Sequence, residues 1–244
     1  IVMNDLYFDE NGIKSQVQQV LLPLYNCAKF FNSYAVLDNF EPDENKIPTP
    51  TNELDKWILA KLYDTEKQVE KCMEEYQIDQ YVEPIIDLLD GFSNWYIRRS
   101  RRRFWSTESS QDKQDAYETT FYVLVSLCKL LAPITPVVVE KSYKHFTGKE
   151  SVHLANVPNV PEQFKNEKIL KETEIVQRII SLARFLREKE NVKNRQPLSK
   201  IELAFTNLEY KQIVKDFEDI ICEEINVKQI EIIESVEELA KVEY

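Results

Sequence analysis

Apolar residues recur at steps of three and four along most of the first 150 positions, a period that helices bury by packing side by side. Ile13, Val17, Val20, Leu21, Leu24, Ala28, Phe31 and Ala35 make one such stripe, with Pro23 inside it as an expected bend. "EPDENKIPTPTN" (41–52) then interrupts the period with three prolines and reads as a loop. A second helix is expected after Thr51 or Asn52 as cap, with Leu54, Trp57, Ile58, Leu62, Val69 and Tyr76 inward. A third starts from an Asp79 cap and carries Ile85, Ile86, Leu89, Phe92 and Tyr96 on its inner side. A fourth spans about 111–131 and stops at Pro133, and a fifth restarts at Pro136 with Thr135 as cap. The expected fold is mainly α, an antiparallel helical bundle over residues 1–155.

After "SVHLANVPNVPEQF" (151–164) the pattern changes. One more helix over 163–190 uses Ile169, Val176, Ile179, Ile180, Ala183 and Leu186. "SKIELAF" and "VKQIEIIE" alternate apolar with polar residues and read as strands around a helix near 207–225. Residues 156–244 are therefore expected to form a long helix and a strand–helix–strand unit, a small α+β domain. Two strands do not make a stable sheet alone, so that domain is expected to be incomplete. Residues 1–10 have neither an initiating Met nor a basic leader, and the chain reads as a piece of a longer protein.

Charge narrows the function classes. The net charge of -11 argues against a nucleic-acid partner, yet its placement is uneven. Residues 209–244 hold 4 Lys and 11 acidic side chains, whereas residues 171–200 hold 8 basic and 4 acidic ones. "NWYIRRSRRRFW" (94–105) packs five arginines into six positions between two tryptophans. Local potential steers a polyanion within a Debye length of roughly 8–10 Å, so an acidic chain with two basic islands can still hold one. On a helix Asn94, Arg98, Arg101 and Trp105 share a face, with Arg102 beside them. Guanidinium forks suit phosphates, and a tryptophan on the same face offers a platform for an unstacked base. The competing reading is a salt-bridged helix end with both tryptophans in the core. A helix turns about 100° per residue, so Arg98, Arg101 and Arg102 are expected outward and Arg99 and Arg103 held by carboxylates.

Other chemistry has little support. The four cysteines lie far apart with no C-x-x-C, and His145 and His153 belong to no motif, so neither a catalytic nor a metal site is expected. The three glycines form no phosphate-cradling loop. No apolar run approaches the roughly 20 residues of a membrane span, and a cytoplasmic protein is expected.

The arginine run resembles the N-W-Y-[IV]-R-x-x-R-R-R-F-W stretch of isoleucyl-tRNA synthetases of the eukaryotic-like type. "LLPLYNCAKFFNSYA", "LDKWILAKL", "LAPITP", "SVHL" and "VKNRQPLSKIEL" resemble further segments of that family in the same order, across nearly all of residues 15–205. The resemblance implies the class Ia anticodon-binding domain and the start of the C-terminal domain. The implied partners are the anticodon stem-loop of isoleucine tRNA and a catalytic domain in the same parent chain, which uses ATP and Mg. That catalysis depends on H-x-G-H and K-M-S-K-S motifs, neither of which occurs here, so the fragment itself is expected to need no cofactor. By the same resemblance Asn26 and, one turn later, Phe30 reach the anticodon. The related methionyl enzymes have Arg at the second position, and there the anticodon-facing Trp follows an N-x-Y-[IV] run at slightly shorter spacing than Trp105 does. Lys193, Asn194 and Arg195 lie in the second basic island, as tRNA backbone contacts or as a turn ordered before Pro197. Two alternatives stay open: a helical protein-interaction scaffold, and the matching region of a valyl-tRNA synthetase.

Overall fold

The computed structural model describes residues 10–77, 80–108, 110–205 and 207–233. The fold is mainly α and divides into two compact units, Ile1–Asn166 and Glu167–Tyr244. The division falls later than residue 155 because the intervening stretch packs on the bundle. Val160 is buried and donates its amide to Glu66 Oε2 at 3.2 Å, and Phe164 meets the Tyr122 ring at 6.2 Å.

In the first unit α1 (Glu10–Gln16) runs through a π-helical turn, Val17–Leu21, into α2 (Leu22–Leu37). Pro23 lacks an amide hydrogen and its ring displaces the preceding carbonyls, so the irregular turn sits where the bend was expected. Val20, Leu24, Cys27, Phe31 and Ala35 form the buried stripe, while Val17 is exposed. α3 (Glu53–Glu74) is capped by Asn52, whose side chain accepts from the Leu54 amide at 2.9 Å. α3 buries Trp57, Ile58, Leu59, Leu62 and Val69 but ends before Tyr76, which was expected inward. Tyr76 has left the helix with a positive φ of 57° and is 87% exposed. The expected cap Asp79 lies outside the described residues.

α4 (Val82–Asp90), a π-helical stretch Gly91–Ile97 and α5 (Arg98–Trp105) form one continuous helical run. Leu88, Leu89, Phe92 and Tyr96 are fully buried, whereas Ile86 is only half-buried. Gly91 is required by close approach: a Cβ there would lie 3.0 Å from Lys61 Cε and 3.1 Å from the Trp57 ring. α6 (Gln111–Leu131), capped by Ser110, is the buried centre of the bundle, with Ala116, Leu124, Leu127 and Cys128 fully covered. α7 (Pro136–Thr147) starts at Pro136 as expected, but the Thr135 hydroxyl turns back to the Leu131 carbonyl at 3.4 Å instead of capping. Gly148, at φ 67°, closes α7 in the left-handed conformation that glycine adopts most easily.

The second unit begins with α8 (Glu167–Lys189), followed by β1 (Ile201–Ala204), α9 (Leu208–Asp216), α10 (Glu218–Ile225) and β2 (Ile230–Ile233). The single helix expected near 207–225 breaks into two at Phe217. β1 and β2 pair in parallel, Ile201 opposite Ile230 through Ala204 opposite Ile233. That register sets Glu202 against Glu231, a like-charge pair relieved by Lys200, whose Nζ is 2.7 Å from each. On α8 the buried row runs Ile169, Val176, Ile180, Ala183 and Arg187, so Leu186 points away and is 55% exposed. The expectation that Leu186 is inward is corrected by that helical step.

Candidate nucleic-acid interface

The five arginines of α5 have different surroundings. Arg103 turns into the bundle and forms a fork on Asp55, Nη1 to Oδ1 at 2.7 Å and Nη2 to Oδ2 at 2.6 Å. Its Nε donates to Asp112 Oδ2 at 2.8 Å, and Nη2 also reaches the Asp112 carbonyl at 2.7 Å. Asp55 is fully buried and accepts a further bond from the Tyr96 hydroxyl at 2.7 Å. Burial alone would lower the Arg103 pKa, but the two carboxylates outweigh it and hold the guanidinium firmly charged. Burial and the neighbouring Asp55 push the Tyr96 hydroxyl well above its usual range. This network fastens α5 to α3 and α6. The expected carboxylate partner of Arg103 is therefore present, and Arg99 lies over the buried Trp95 ring at 5.3 Å.

Toward solvent the run presents Asn94, Arg101, Arg102 and Trp105, all exposed. Arg98, expected outward with Arg101 and Arg102, is instead half-buried and donates its Nε to the Asn94 carbonyl at 2.8 Å, and the Asn94 amide donates to Asp90 at 2.6 Å. Trp105 is 56% exposed, so the reading that places both tryptophans in the core holds for Trp95 alone. The Trp105 ring is nevertheless fixed, because Nε1 donates to the Tyr34 hydroxyl at 2.7 Å. With the indole N–H bonded to Tyr34, more than half of the side chain stays open to solvent.

Tyr34 belongs to α2 and brings the other expected residues to the same place. Phe30, one turn earlier, is half-buried, 4.9 Å from the Tyr34 ring and edge-on to Phe104 at 5.1 Å. Asn26, a further turn back, is exposed. Phe104 sits fully buried beneath them and meets Tyr117 at 4.9 Å. Phe30 and Trp105 thus meet through Tyr34, with Asn26 one helical turn before Phe30 and Arg101 and Arg102 about one turn before Trp105, although all of α3 and α4 lie between Phe30 and Trp105 in the chain. The segment after α5 is held too: the nearly buried Lys113 ammonium donates to the Ser106 carbonyl and lies 2.7 Å from Asp38.

Lys193, Asn194 and Arg195 lie in the second unit, exposed on the loop after α8. Beneath the loop is Arg187, only 5% exposed. Sequence reasoning missed Arg187, Tyr34 and Asp55. Tyr34 had a signal in its position one turn after Phe30. Arg187 and Asp55 had none, since a charge inside an apolar row reads as solvent-facing. His145 pairs with Asn32 at 2.9 Å and His153 is exposed. All four cysteines are free, and burial pushes the Cys27 thiol up to about 11 and the Cys128 thiol up to about 12. Among the described residues no group of three His, Cys, Asp or Glu side chains could hold a metal ion, and no helix is long and apolar enough to cross a membrane.

Comparison with known proteins converges on one family. Residues 55–204 match the family described as the anticodon-binding domain of tRNA ligase. The chain is 37% identical over 230 residues to the isoleucine–tRNA ligase of Protochlamydia amoebophila, covering 93% of this chain and 22% of that protein. It is 37% identical over 233 residues to the corresponding ligase of Chlamydia pneumoniae, with the same coverage. It is 32% identical over 256 residues to that of Treponema denticola, covering 99% of this chain and 23% of the relative. The chain thus spans less than a quarter of the length of these relatives. It contains α5 with its inward and outward arginines inside the matched region, and it belongs to the anticodon-binding domain family of tRNA ligases.

Proposed function

We propose that this chain is the tRNA-holding part of an isoleucine–tRNA ligase of the cytoplasm, receiving the anticodon stem-loop of isoleucine tRNA. A catalytic domain of the same parent chain, using ATP and Mg, charges the tRNA. The observation that carries this reading is Trp105, an exposed indole locked by Tyr34 beside exposed arginines. Tryptophan normally buries its area, and one held outward in a fixed pose suits a base splayed from a loop. Stacking of that kind contributes roughly 1–3 kcal/mol per base. Phe30 backs the platform from α2, and Asn26 supplies an amide that can meet a base edge. Arg98, Arg101 and Arg102 neutralise phosphates beside it, with Asn94 as a polar neighbour. Lys193 and Arg195 contact the tRNA backbone from the second unit.

Filter binding of isoleucine and valine tRNAs tests the reading. Isoleucine tRNA is expected to bind more tightly, and exchanging its anticodon is expected to remove the difference. Equal binding of both tRNAs, insensitive to the anticodon, would sink it.

A further inference from the structure

Arg187 is buried, and among the described residues no carboxylate meets its guanidinium. Instead Nη1 donates to the carbonyls of Lys193 at 3.2 Å and Gln196 at 3.0 Å, and Nη2 to those of Ile225 at 2.7 Å and Asn226 at 3.1 Å. A buried cation matched only to backbone oxygens needs several good acceptors to offset its lost hydration. A planar fork can reach four carbonyls at once, which a lysine ammonium cannot. The consequence falls on the loop. The carbonyls of Lys193 and Gln196 point down at Arg187, and that of Asn194 accepts from the Asn226 amide at 3.3 Å. The Gln196 amide closes a turn on the Lys193 carbonyl at 2.9 Å. Immediately downstream Leu198 pairs with both Asn226 and Lys228. Asn191 and Asn226 supply the left-handed bends, at φ 55° and 52°, that bring these segments together. With three carbonyls of the turn drawn inward, the side chains of Lys193, Asn194 and Arg195 stand exposed.

We propose that Arg187 is a positioning residue whose four-carbonyl cage folds 193–196 into a preformed seat for phosphodiester groups of an RNA backbone. The inference rests on the reading of the chain as a tRNA-binding module. Without the cage, the loop would lose backbone freedom at the moment of binding, and ordering even a few residues weakens association. The polyanion is favoured because Lys193 and Arg195 stand exposed on one loop, within a stretch (171–200) that carries 8 basic side chains against 4 acidic ones.

The test measures isoleucine tRNA affinity of the 244-residue chain as a function of salt, alongside amide hydrogen exchange. Lys193→Ala/Arg195→Ala is expected to weaken binding about tenfold and to lower the salt slope by about 2, one unit per phosphate contact. Arg187→Lys should lower the slope in the same way while the amides of Gln196 and Lys228 exchange faster. Adding it to the double variant should cost nothing further. An unchanged slope with a faster-exchanging loop, or an additive loss in the triple variant, overturns the proposal. If Arg187→Lys unfolds the second unit, Asn226→Gly carries the test, since it removes only the bond to Asn194 and glycine accepts the positive φ. Its slope should fall by less than the double variant's, and no fall despite faster exchange is again negative. Loss of binding by Trp105→Ala with none from Lys193→Ala/Arg195→Ala would overturn this inference and leave the proposed function standing. Failure of the unaltered chain to bind isoleucine tRNA would sink that function itself.

Discussion

Arg103 and Arg101 stand two residues apart on α5, and their surroundings are opposite. Arg103 is enclosed by Asp55, Asp112 and, through Asp55, by Tyr96. Arg101 is exposed and makes no ion pair with a described residue. A turn of about 200° separates the two side chains, so one sequence cluster supplies both a structural clamp and a basic surface. Composition alone does not distinguish these uses; the burial of the partner does. The second basic stretch repeats the lesson, with Arg187 inside and Lys193 and Arg195 outside.

The largest effect should follow from breaking the inward half. Asp55→Ala leaves Arg103 in a buried site with only Asp112 to meet its charge, and removing one member of a buried pair costs about 3–5 kcal/mol. Urea unfolding should show the loss in the midpoint. A change below about 1 kcal/mol would mean that water reaches Arg103 easily, and the contrast with Arg101 would collapse.

Trp105→Ala should come next, and it should act on binding alone. Loss of one stacked base is worth roughly 1–3 kcal/mol, and here it should fall most heavily on tRNAs with the matching anticodon. The unfolding midpoint should move little, because the ring is more than half exposed. Equal weakening for matched and mismatched anticodons would assign Trp105 to shape rather than to reading.

Arg101→Ala should be smaller still: a fall of about 1 in the salt slope, uniform across tRNA sequences, with stability changed by less than about 0.5 kcal/mol. Raising salt should weaken the contribution of Arg101 and leave the Arg103–Asp55 fork intact, since solvent screens only the exposed member.

Much of this contrast was legible in the sequence. The three- and four-residue period placed the helices, and the turn per residue placed Arg103 inward and Arg101 outward. The π-helical stretch Gly91–Ile97 was not legible, and neither was the close approach of Gly91, at its start, to Trp57 and Lys61 on another helix. Nor was the Trp105–Tyr34 bond, whose members lie 71 residues apart. Arg187 was hidden for a different reason. It stands where the apolar row of α8 calls for a hydrophobic side chain, and only the four carbonyls that converge there explain it. Local pattern reports which face is inward, whereas long-range partners decide whether a polar group can live there.

The smallest prediction asks whether facing inward or being paired matters more, using two carboxylates of the bundle. Glu44 is nearly buried but is met by Lys129 at 2.8 Å, Lys149 at 2.7 Å and the Tyr143 hydroxyl at 3.1 Å. Burial pushes its pKa up, the two ammonium groups and the hydroxyl pull it down further, and it ends below the usual value. Glu66 is also buried, yet its nearest cation, Lys67, is 3.9 Å away and its clearest donor is the Val160 amide. There burial dominates and the pKa is raised. The signs of their pH dependence therefore differ. A depressed native pKa means that Glu44 adds stability above the unfolded carboxylate range and loses it as pH falls through its native value. A raised native pKa means that charged Glu66 subtracts stability at neutral pH, a penalty relieved as pH falls from its native value toward the unfolded one. Glu44→Gln should destabilise at pH 7 and approach the parent chain in acid. Glu66→Gln keeps an acceptor for Val160 and should stabilise at pH 7, with the gain vanishing in acid. Denaturant unfolding of both variants at neutral and acidic pH reads the two signs directly. If both substitutions destabilise at pH 7 by similar amounts, pairing is not what separates them, and the protected state of Arg103 would owe more to its enclosure than to Asp55.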